Sequence, residues 1–265
     1  MAASVSYARN GKLALITLER PDALNALTYD MIADVERFAR QAESDPHVLA
    51  ICITGAGRGF CAGIDMSVLT AHAAGEAVSR GDRPKPANPA MFAFLLDISK
   101  PVIAAVNGVA AGGGFVLAMM CDMRFMAQEA SLITIFSRRG LIAEHGTSWL
   151  LPRMVGLSRA LDLLWSSRKV GADEAYRIGL ADRVAPGVEL SAAVEAYVAE
   201  LANVSPRALA IIKQQVHRHL EASLLDASVE SDALMKDALA HPDAKEGAAH
   251  FVEKRPARFA PWTGE

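Results

Sequence analysis

The first half of the chain is built from short apolar runs separated by turns. Residues 13–20, LALITLER, alternate in part between apolar and polar positions and predict a β-strand. The dipeptide Asn10-Gly11 is typical of a tight hairpin turn, so the preceding VSYAR is expected to pair with this strand. Thr28 can cap a helix whose apolar residues recur at helical spacing. Residues 48–54 and 101–106 are continuous apolar runs, as in strands that are buried on both faces.

Helical spacing dominates the second half of the chain. Residues 114–120 predict a short apolar helix, which strands at 122–127 and 131–133 follow. After Ser158, apolar residues recur three and four positions apart almost to the C-terminus. Strands early and helices late predict an α/β fold with a helical C-terminal part. Residues 71–89 interrupt this order, because they are rich in Gly, Pro and charge, and we expect a mobile surface segment there that can act as a lid.

The composition of the chain argues against some classes of binding partner and cellular location for this protein. The 265 residues are 52% hydrophobic and carry a formal net charge of −3, with 27 basic residues scattered along the chain. We therefore expect neither nucleic acid nor an anionic membrane surface as a partner. The chain has no run of about 18 apolar residues and no secretory pattern at its start. Its three cysteines stand in apolar surroundings and are typical of reduced thiols, so we expect a soluble, cytoplasmic protein.

Two glycine-bearing loops carry the strongest chemical signal. In VNGVAAGGGFVLAMMCD, three glycines open an apolar helix, where free main-chain N–H groups with positive partial charge can hold an anionic group. The alternative is tight packing of that helix on a strand. The loop CAGID follows an earlier buried strand in the same way, so the two loops can converge on one carbonyl oxygen and form an oxyanion hole. The nearby GAGRG lacks the spacing of a dinucleotide-binding loop.

An ionisable pair, Glu144 and His145, stands in the apolar stretch RRGLIAEHGTSWLLP. Burial of the carboxylate among Leu141, Ile142 and Trp149 would raise its pKa, as suits a general base. The alternative is that the acid caps the helix that follows. The imidazole can hydrogen-bond the carboxylate or a substrate, or can face outward in a structural role.

Five segments, in order, resemble the crotonase, or enoyl-CoA hydratase/isomerase, superfamily: ERPDALNAL, ITGAGRGFCAGIDM, KPVIAAVNGVAAGGGFVLAMMCD, GLIAEHGTSWLLPRMVG and FVEKRPARF. The resemblance implies a spiral of ββα units in residues 1–195, which holds an acyl-CoA site, and a helical trimerisation region in residues 196–265. It also implies a homotrimer or a hexamer built as a dimer of trimers. A coenzyme A thioester is then the substrate, and no metal and no redox cofactor are expected.

The resemblance also assigns site residues. The main-chain amides of Ile64 and Gly113 match the two oxyanion donors. Phe251 and Lys254 match positions that reach the nucleotide end of coenzyme A, in some relatives from a neighbouring subunit. An exposed terminal lysine is the alternative for Lys254. The positions that match the adenosine and pantetheine contacts are Ala23, Leu24, Ala26, Ala62 and Asp65.

The sequence departs from the hydratase pattern at two positions. Family members that hydrate a 2-enoyl thioester carry one glutamate two residues after the glycine triplet and another about twenty residues later, where this chain has Val116 and Phe136. Glu144 instead matches the glutamate of a Δ3,Δ2-enoyl-CoA isomerase branch. The resemblance therefore implies isomerisation of 3-enoyl-CoA to 2-enoyl-CoA with Glu144 as proton shuttle.

Two alternatives stay open at this point. One is an enoyl-CoA hydratase that uses Glu144 and His145, and the other is a non-catalytic acyl-CoA-binding scaffold. Thioester hydrolysis, decarboxylation and dehalogenation also use an oxyanion hole with other side chains, and the sequence leaves them open as well.

Overall fold

Two sheets form the core of the computed structural model, which describes residues 4–73 and 88–262. The strands are β1 (Val5–Asn10), β2 (Leu13–Leu18), β3 (Ala50–Gly55), β4 (Gly59–Cys61), β5 (Val102–Val106), β6 (Val109–Ala111), β7 (Met123–Ala127), β8 (Ser131–Ile133), β9 (Val170–Gly171) and β10 (Arg183–Ala185). The helices are α1 (Tyr29–Ser44), α2 (Met66–Ala73), α3 (Phe94–Asp97), α4 (Gly113–Met120), α5 (Thr147–Val155), α6 (Leu157–Ser166), α7 (Ala172–Arg177), α8 (Leu190–Leu201), α9 (Pro206–His219), α10 (Leu224–Ala240) and α11 (Pro242–Glu253).

From β3 to β8, successive strands alternate between the two sheets. One sheet has the order β1-β2-β3-β5-β7-β10, and the other has the order β4-β6-β8-β9. The pairs are parallel apart from the β1–β2 hairpin and the β8–β9 pair. From β3 onward, a strand of the larger sheet is followed by one of the smaller sheet and then by a helix, as in β3-β4-α2, β5-β6-α4 and β7-β8-α5. This repeat of ββα units is the predicted spiral, and the α/β prediction is confirmed.

Local sequence accounts for the elements that carry the site. Val5 pairs with Leu18 across the predicted hairpin. The Thr28 hydroxyl accepts a hydrogen bond from the Met31 amide at 3.3 Å and caps α1, which buries its apolar face. The strand β5 is buried along its whole length, as its continuous apolar run predicts. The short strands β4 and β6 lie inside segments that the sequence indicates only as loops.

The C-terminal helices bury progressively less surface. Helix α8 packs on β5 and β7, whereas α10 and α11 bury no side chain among the described residues. Their exposed large apolar side chains are Leu224, Leu225, Val229, Met235, Leu239, Phe251 and Val252. The predicted boundary at residue 195 falls inside α8, and the division into two units stays a prediction.

Two further predictions concern the surface lid and membrane-spanning segments. Residues 74–87, which make up most of the predicted lid, lie outside the described residues. Among the helices of the described ranges, none is both long enough and apolar enough to cross a membrane.

Candidate active site

The two glycine-bearing loops meet at one edge of the smaller sheet. Strands β4 and β6 are parallel neighbours, so the loops that follow them leave the sheet at the same edge. Gly63 has φ +101°, and a Cβ added to it would lie 2.8 Å from the Ala111 carbonyl oxygen and 3.3 Å from the Gly113 nitrogen. The loops therefore touch main chain to main chain, which a residue with a side chain at position 63 would prevent.

The amide of Ile64 is oriented by hydrogen bonds on either side of it. The Leu27 amide donates to the Gly63 carbonyl at 2.7 Å, and the Asp65 amide donates to the Leu27 carbonyl at 2.9 Å. Because residues 63 and 65 face Leu27 in this parallel bridge, the N–H of Ile64 points away from it. No acceptor for that N–H occurs in the part of the chain that the structure describes.

The amide of Gly113 is a second unused donor beside the first. Gly113 is the first residue of α4, where an N–H group has no acceptor within the helix. Among the described residues it makes no other hydrogen bond. A Cβ added to Gly113 would lie 3.5 Å from the Ile64 side chain. The structure thus brings the two predicted donor residues together; their role as donors stays a prediction.

Gly114 allows close packing of the helix on a strand, which is the other interpretation of the glycine triplet. A Cβ at this position would lie 2.1 Å from the Cys61 carbonyl oxygen, well inside van der Waals contact. Helix α4 therefore approaches β4 more closely than any residue larger than glycine permits. Both interpretations of the triplet apply, each to a different glycine.

Glu144 lies partly buried in the loop that leads into α5. Its main-chain carbonyl accepts hydrogen bonds from the Thr147 amide at 3.0 Å and from the Thr147 hydroxyl at 2.7 Å. The N-cap of α5 is Gly146, with φ +79°, and no side chain caps this helix. The capping alternative for the Glu144 side chain is therefore wrong. Within the described residues, no hydrogen-bond donor or cation contacts its carboxylate.

The apolar enclosure expected around this acid is not formed by its neighbours in sequence. Leu141 is 39% exposed and Ile142 is 80% exposed, because the turn at Gly140 directs both side chains outward. Trp149 is partly buried, with the Arg153 guanidinium 3.9 Å from the centre of its ring. The expectation that Leu141 and Ile142 bury the carboxylate is wrong.

His145 ties the loop to a second segment of the chain. Its Nδ1 accepts a hydrogen bond from the Met91 amide at 3.2 Å, and its backbone is left-handed, with φ +52°. A ring nitrogen that accepts carries no proton, so the proton of the neutral ring is on Nε2. The imidazole therefore holds the loop against residues 88–93.

The two positions where a hydratase carries its glutamates are occupied by core side chains. Val116 is fully buried in α4, and Phe136 is 4% exposed just after β8. Neither position offers a group that can hold or split water. Among the described residues, no group of three or more His, Cys, Asp or Glu side chains is arranged to hold a metal ion.

The residues predicted to contact coenzyme A fall into two groups. One group lies on the loop after β2 and the loop after β4, which together form one lip of the candidate site. A hydrogen bond joins these two loops, in which the Ala62 amide donates to the Leu24 carbonyl at 2.9 Å. The members of this group, all partly exposed, are Ala23, Leu24, Ala26, Ala62 and Asp65. The other group is exposed at the end of α11, where Phe251 is 80% exposed and Lys254 follows the helix. No hydrogen bond or ion pair joins the two groups within the described residues.

Sequence analysis missed two polar residues that support this lip. Asn25 is fully buried, and its side-chain amide donates to the carbonyls of Ala56 at 3.0 Å and Gly59 at 2.8 Å. Arg20 forms an ion pair with Asp65 at 2.9 Å. The pKa of Asp65 is held below its ordinary value, chiefly by hydrogen bonds from Ser67 and then by Arg20. The one signal in the sequence was an asparagine in a tight turn, where its side chain often bonds the main chain.

Comparisons with known proteins identify the family of this chain. Residues 8–261 match the model of the enoyl-CoA hydratase/isomerase family. The chain belongs to this family. Crotonyl-CoA hydratase from Syntrophomonas wolfei is 35% identical over 250 residues, which cover 94% of each chain. The 1,2-epoxyphenylacetyl-CoA isomerase of Escherichia coli is 33% identical over 256 residues, covering 96% of this chain and 97% of the relative.

A solved structure extends the likeness to the whole fold. The crystal structure of an enoyl-CoA hydratase from Polaromonas sp. JS666 superimposes with a TM-score of 0.87 at 28% identity, covering 97% of this chain and 100% of the other. The protein is therefore an enzyme of the enoyl-CoA hydratase/isomerase family with the crotonase fold. Both hydratases and an isomerase occur among its relatives, so family membership alone does not choose the reaction.

Proposed function

We propose that this enzyme isomerises 3-enoyl-CoA to 2-enoyl-CoA and that Glu144 is its single acid-base residue. One observation carries the proposal. The carboxylate of Glu144 is partly buried and has no partner among the described residues, while the two hydratase positions hold the buried apolar side chains of Val116 and Phe136. Isomerisation needs one group that takes and returns a proton, whereas hydration needs a water molecule held between two groups.

The proposed reaction starts at the two unused amides. The thioester oxygen accepts hydrogen bonds from the N–H groups of Ile64 and Gly113, which lowers the energy of the enolate form. Glu144 then removes a proton from C2, and the electron pair of that bond delocalises over the thioester oxygen, C2 and C4 to give a dienolate. The resulting carboxylic acid returns the proton at C4. The double bond moves from C3–C4 to C2–C3, and the enzyme regains its carboxylate.

Binding and assembly belong to the same proposal. Ala23, Leu24, Ala26, Ala62 and Asp65 contact the adenosine and pantetheine parts of coenzyme A, and Phe251 with Lys254 reaches its nucleotide end. The unburied apolar faces of α10 and α11 support a homotrimer or a dimer of trimers, which sedimentation analysis would distinguish. The three free thiols are consistent with a cytoplasmic location.

The test compares wild type with Glu144→Gln on a panel of 3-enoyl, 2-enoyl and 3-hydroxyacyl thioesters of several chain lengths. Loss of the acid-base group should lower kcat for 3-enoyl substrates by about 10²–10⁴-fold, with a small change in affinity. Glu36→Gln, an exposed acid on α1, is the matched control and should retain full activity. Full isomerase activity in the Glu144→Gln variant would remove the proposed base.

A hydratase is the second candidate, because most named relatives are hydratases and His145 adjoins the acid. It predicts formation of 3-hydroxyacyl-CoA from the 2-enoyl substrate, with little activity on the 3-enoyl isomer. A non-catalytic scaffold predicts tight binding of acyl-CoA with no turnover of either substrate.

A further inference from the structure

Arg20, in the loop between β2 and α1, connects the two chain segments that hold the amide of Ile64. We infer that Arg20 is a positioning residue, which fixes that amide for the thioester oxygen by clamping the loop after β4 to the start of α1. The inference rests on the proposed function, since it concerns a donor of the proposed oxyanion hole. Nothing in the sequence pattern singles out this arginine.

The guanidinium of Arg20 contacts both segments at once. Its Nη1 donates to the Ala26 carbonyl at 2.6 Å, and its Nη2 lies 2.9 Å from the Asp65 carboxylate. The two side chains of the ion pair are 31% and 18% exposed, so water competes only in part for their contact. One planar group therefore joins the residue before Leu27 to the residue after Ile64.

Asp65 is itself anchored on its far side. Its Oδ1 accepts hydrogen bonds from the Ser67 amide at 3.0 Å and from the Ser67 hydroxyl at 2.8 Å, at the start of α2. Its own amide donates to the Leu27 carbonyl. Asp65 is thus held by Arg20 and by the start of α2, and these contacts fix the peptide that follows Ile64.

The arginine is held in place by its own neighbours. Its amide donates to the Asn25 side-chain oxygen at 2.9 Å, and its carbonyl accepts from the Asn25 amide at 2.8 Å. Asn25 is fully buried and bound to the loop after β3. The clamp therefore has a rigid base, which is what a positioning residue requires.

The guanidinium suits this role better than an ammonium group does. Its donors have a fixed planar geometry and can satisfy the Ala26 carbonyl and the Asp65 carboxylate together, whereas a lysine is a flexible point charge. Loss of the clamp leaves the two main-chain hydrogen bonds to Leu27 to hold the Ile64 peptide, and a donor that is displaced by about 1 Å stabilises the enolate far less. The loss should therefore appear chiefly in kcat, although Ala26 and Asp65 are also proposed contacts of coenzyme A.

The experiment uses Arg20→Met, Arg20→Lys and Asp65→Asn in the full-length protein, with Arg37→Met as the matched control. Arg37 forms an exposed ion pair with Asp34 on α1, away from the loops. We expect kcat for a 3-enoyl-CoA to fall about ten- to a hundredfold in Arg20→Met and less in Arg20→Lys. In the two Arg20 variants kcat should fall by a larger factor than the affinity for coenzyme A does, because Arg20 itself is not a proposed coenzyme A contact.

A spectroscopic readout separates positioning from general destabilisation. Bound 4-dimethylaminocinnamoyl-CoA absorbs at longer wavelength when hydrogen bonds polarise its thioester carbonyl. The shift should be largest in wild type and in Arg37→Met and smaller in Arg20→Met and Asp65→Asn, whose melting curves show whether each variant is folded. Combining the Arg20→Met and Asp65→Asn changes should lower kcat no further than one of them alone, because both break one clamp.

The outcomes distinguish the Arg20 clamp from the oxyanion hole that it positions. A full shift and full kcat in folded Arg20→Met would overturn the clamp and leave the oxyanion hole standing. No shift in wild type would overturn the hole itself. A tenfold or larger loss of affinity for coenzyme A, with kcat unchanged, would make Arg20 a residue of the coenzyme A site and refute its positioning role.

Discussion

Replacing Gly114 by alanine probes the contact between α4 and β4 on which the site geometry rests. The added Cβ would lie 2.1 Å from the Cys61 carbonyl oxygen and 2.7 Å from the Cys61 Cβ. Ordinary contact begins at 3.4 Å, so the helix must withdraw from the strand by roughly 1 Å. The nearest obstacle is main chain, which cannot rotate aside as a flexible side chain does.

The expected cost has two opposing parts. Overpacking of a dense core costs about 1–3 kcal/mol, while exchange of glycine for alanine in a helix recovers about 0.5–1 kcal/mol. We expect a net loss of about 1–2 kcal/mol in the free energy of unfolding. The same displacement moves the adjoining Gly113 amide relative to Ile64, and a misplacement of about 1 Å can lower kcat by about a hundredfold.

Urea unfolding and steady-state kinetics with a 3-enoyl-CoA measure the two effects. Gly113→Ala is the control for stability, since the nearest atoms to its Cβ would be side-chain atoms of Leu27 and Ile64 at 3.4–3.5 Å, which is ordinary van der Waals contact. That variant should be as stable as wild type or slightly more stable. Unchanged stability and unchanged kcat in Gly114→Ala would refute the close approach of α4 to β4.

Three further predictions concern burial. Burial lowers the pKa of Lys100 from 10.5 to about 8, so between pH 8 and pH 10.5 the unfolded chain binds more protons than the folded protein. The free energy of unfolding of wild type, measured in urea titrations relative to that of Lys100→Met, should therefore rise from pH 8 to pH 10.5. Asn25→Ala removes the donors to the Ala56 and Gly59 carbonyls and the acceptor of the Arg20 amide, and should cost about 2–4 kcal/mol in the same assay. Burial raises the pKa of Cys61 to about 12, so a thiol reagent at pH 8 should label it only as fast as the protein unfolds; rapid labelling of folded protein would contradict this.

Elements whose signals are local were predictable from the sequence. The hairpin at Asn10-Gly11, the cap at Thr28 and the buried run of β5 each depend on residues within a few positions of one another. The glycine triplet indicated both a free amide and close packing, and the family resemblance assigned the amide to Gly113, but nothing in the sequence assigned the close packing to Gly114.

The parts of the site that sequence reasoning missed depend on contacts between distant segments. The buried amide of Asn25 bonds a carbonyl 31 positions away, and Arg20 reaches Asp65 in another loop. The expected apolar enclosure of Glu144 failed for a related reason. Hydrophobic neighbours in sequence indicate burial on average, but the turn at Gly140 directs Leu141 and Ile142 outward.

The proposed donors are main-chain groups in the loop after β4 and at the start of α4, whereas the proposed acid is a side chain on the loop before α5. Peptide N–H groups survive almost any substitution, but a carboxylate is gained or lost by a single codon change. The fold can therefore keep the main-chain groups that activate a carbonyl while related proteins replace the residue that moves the proton. A change in that residue changes the product that the enzyme releases.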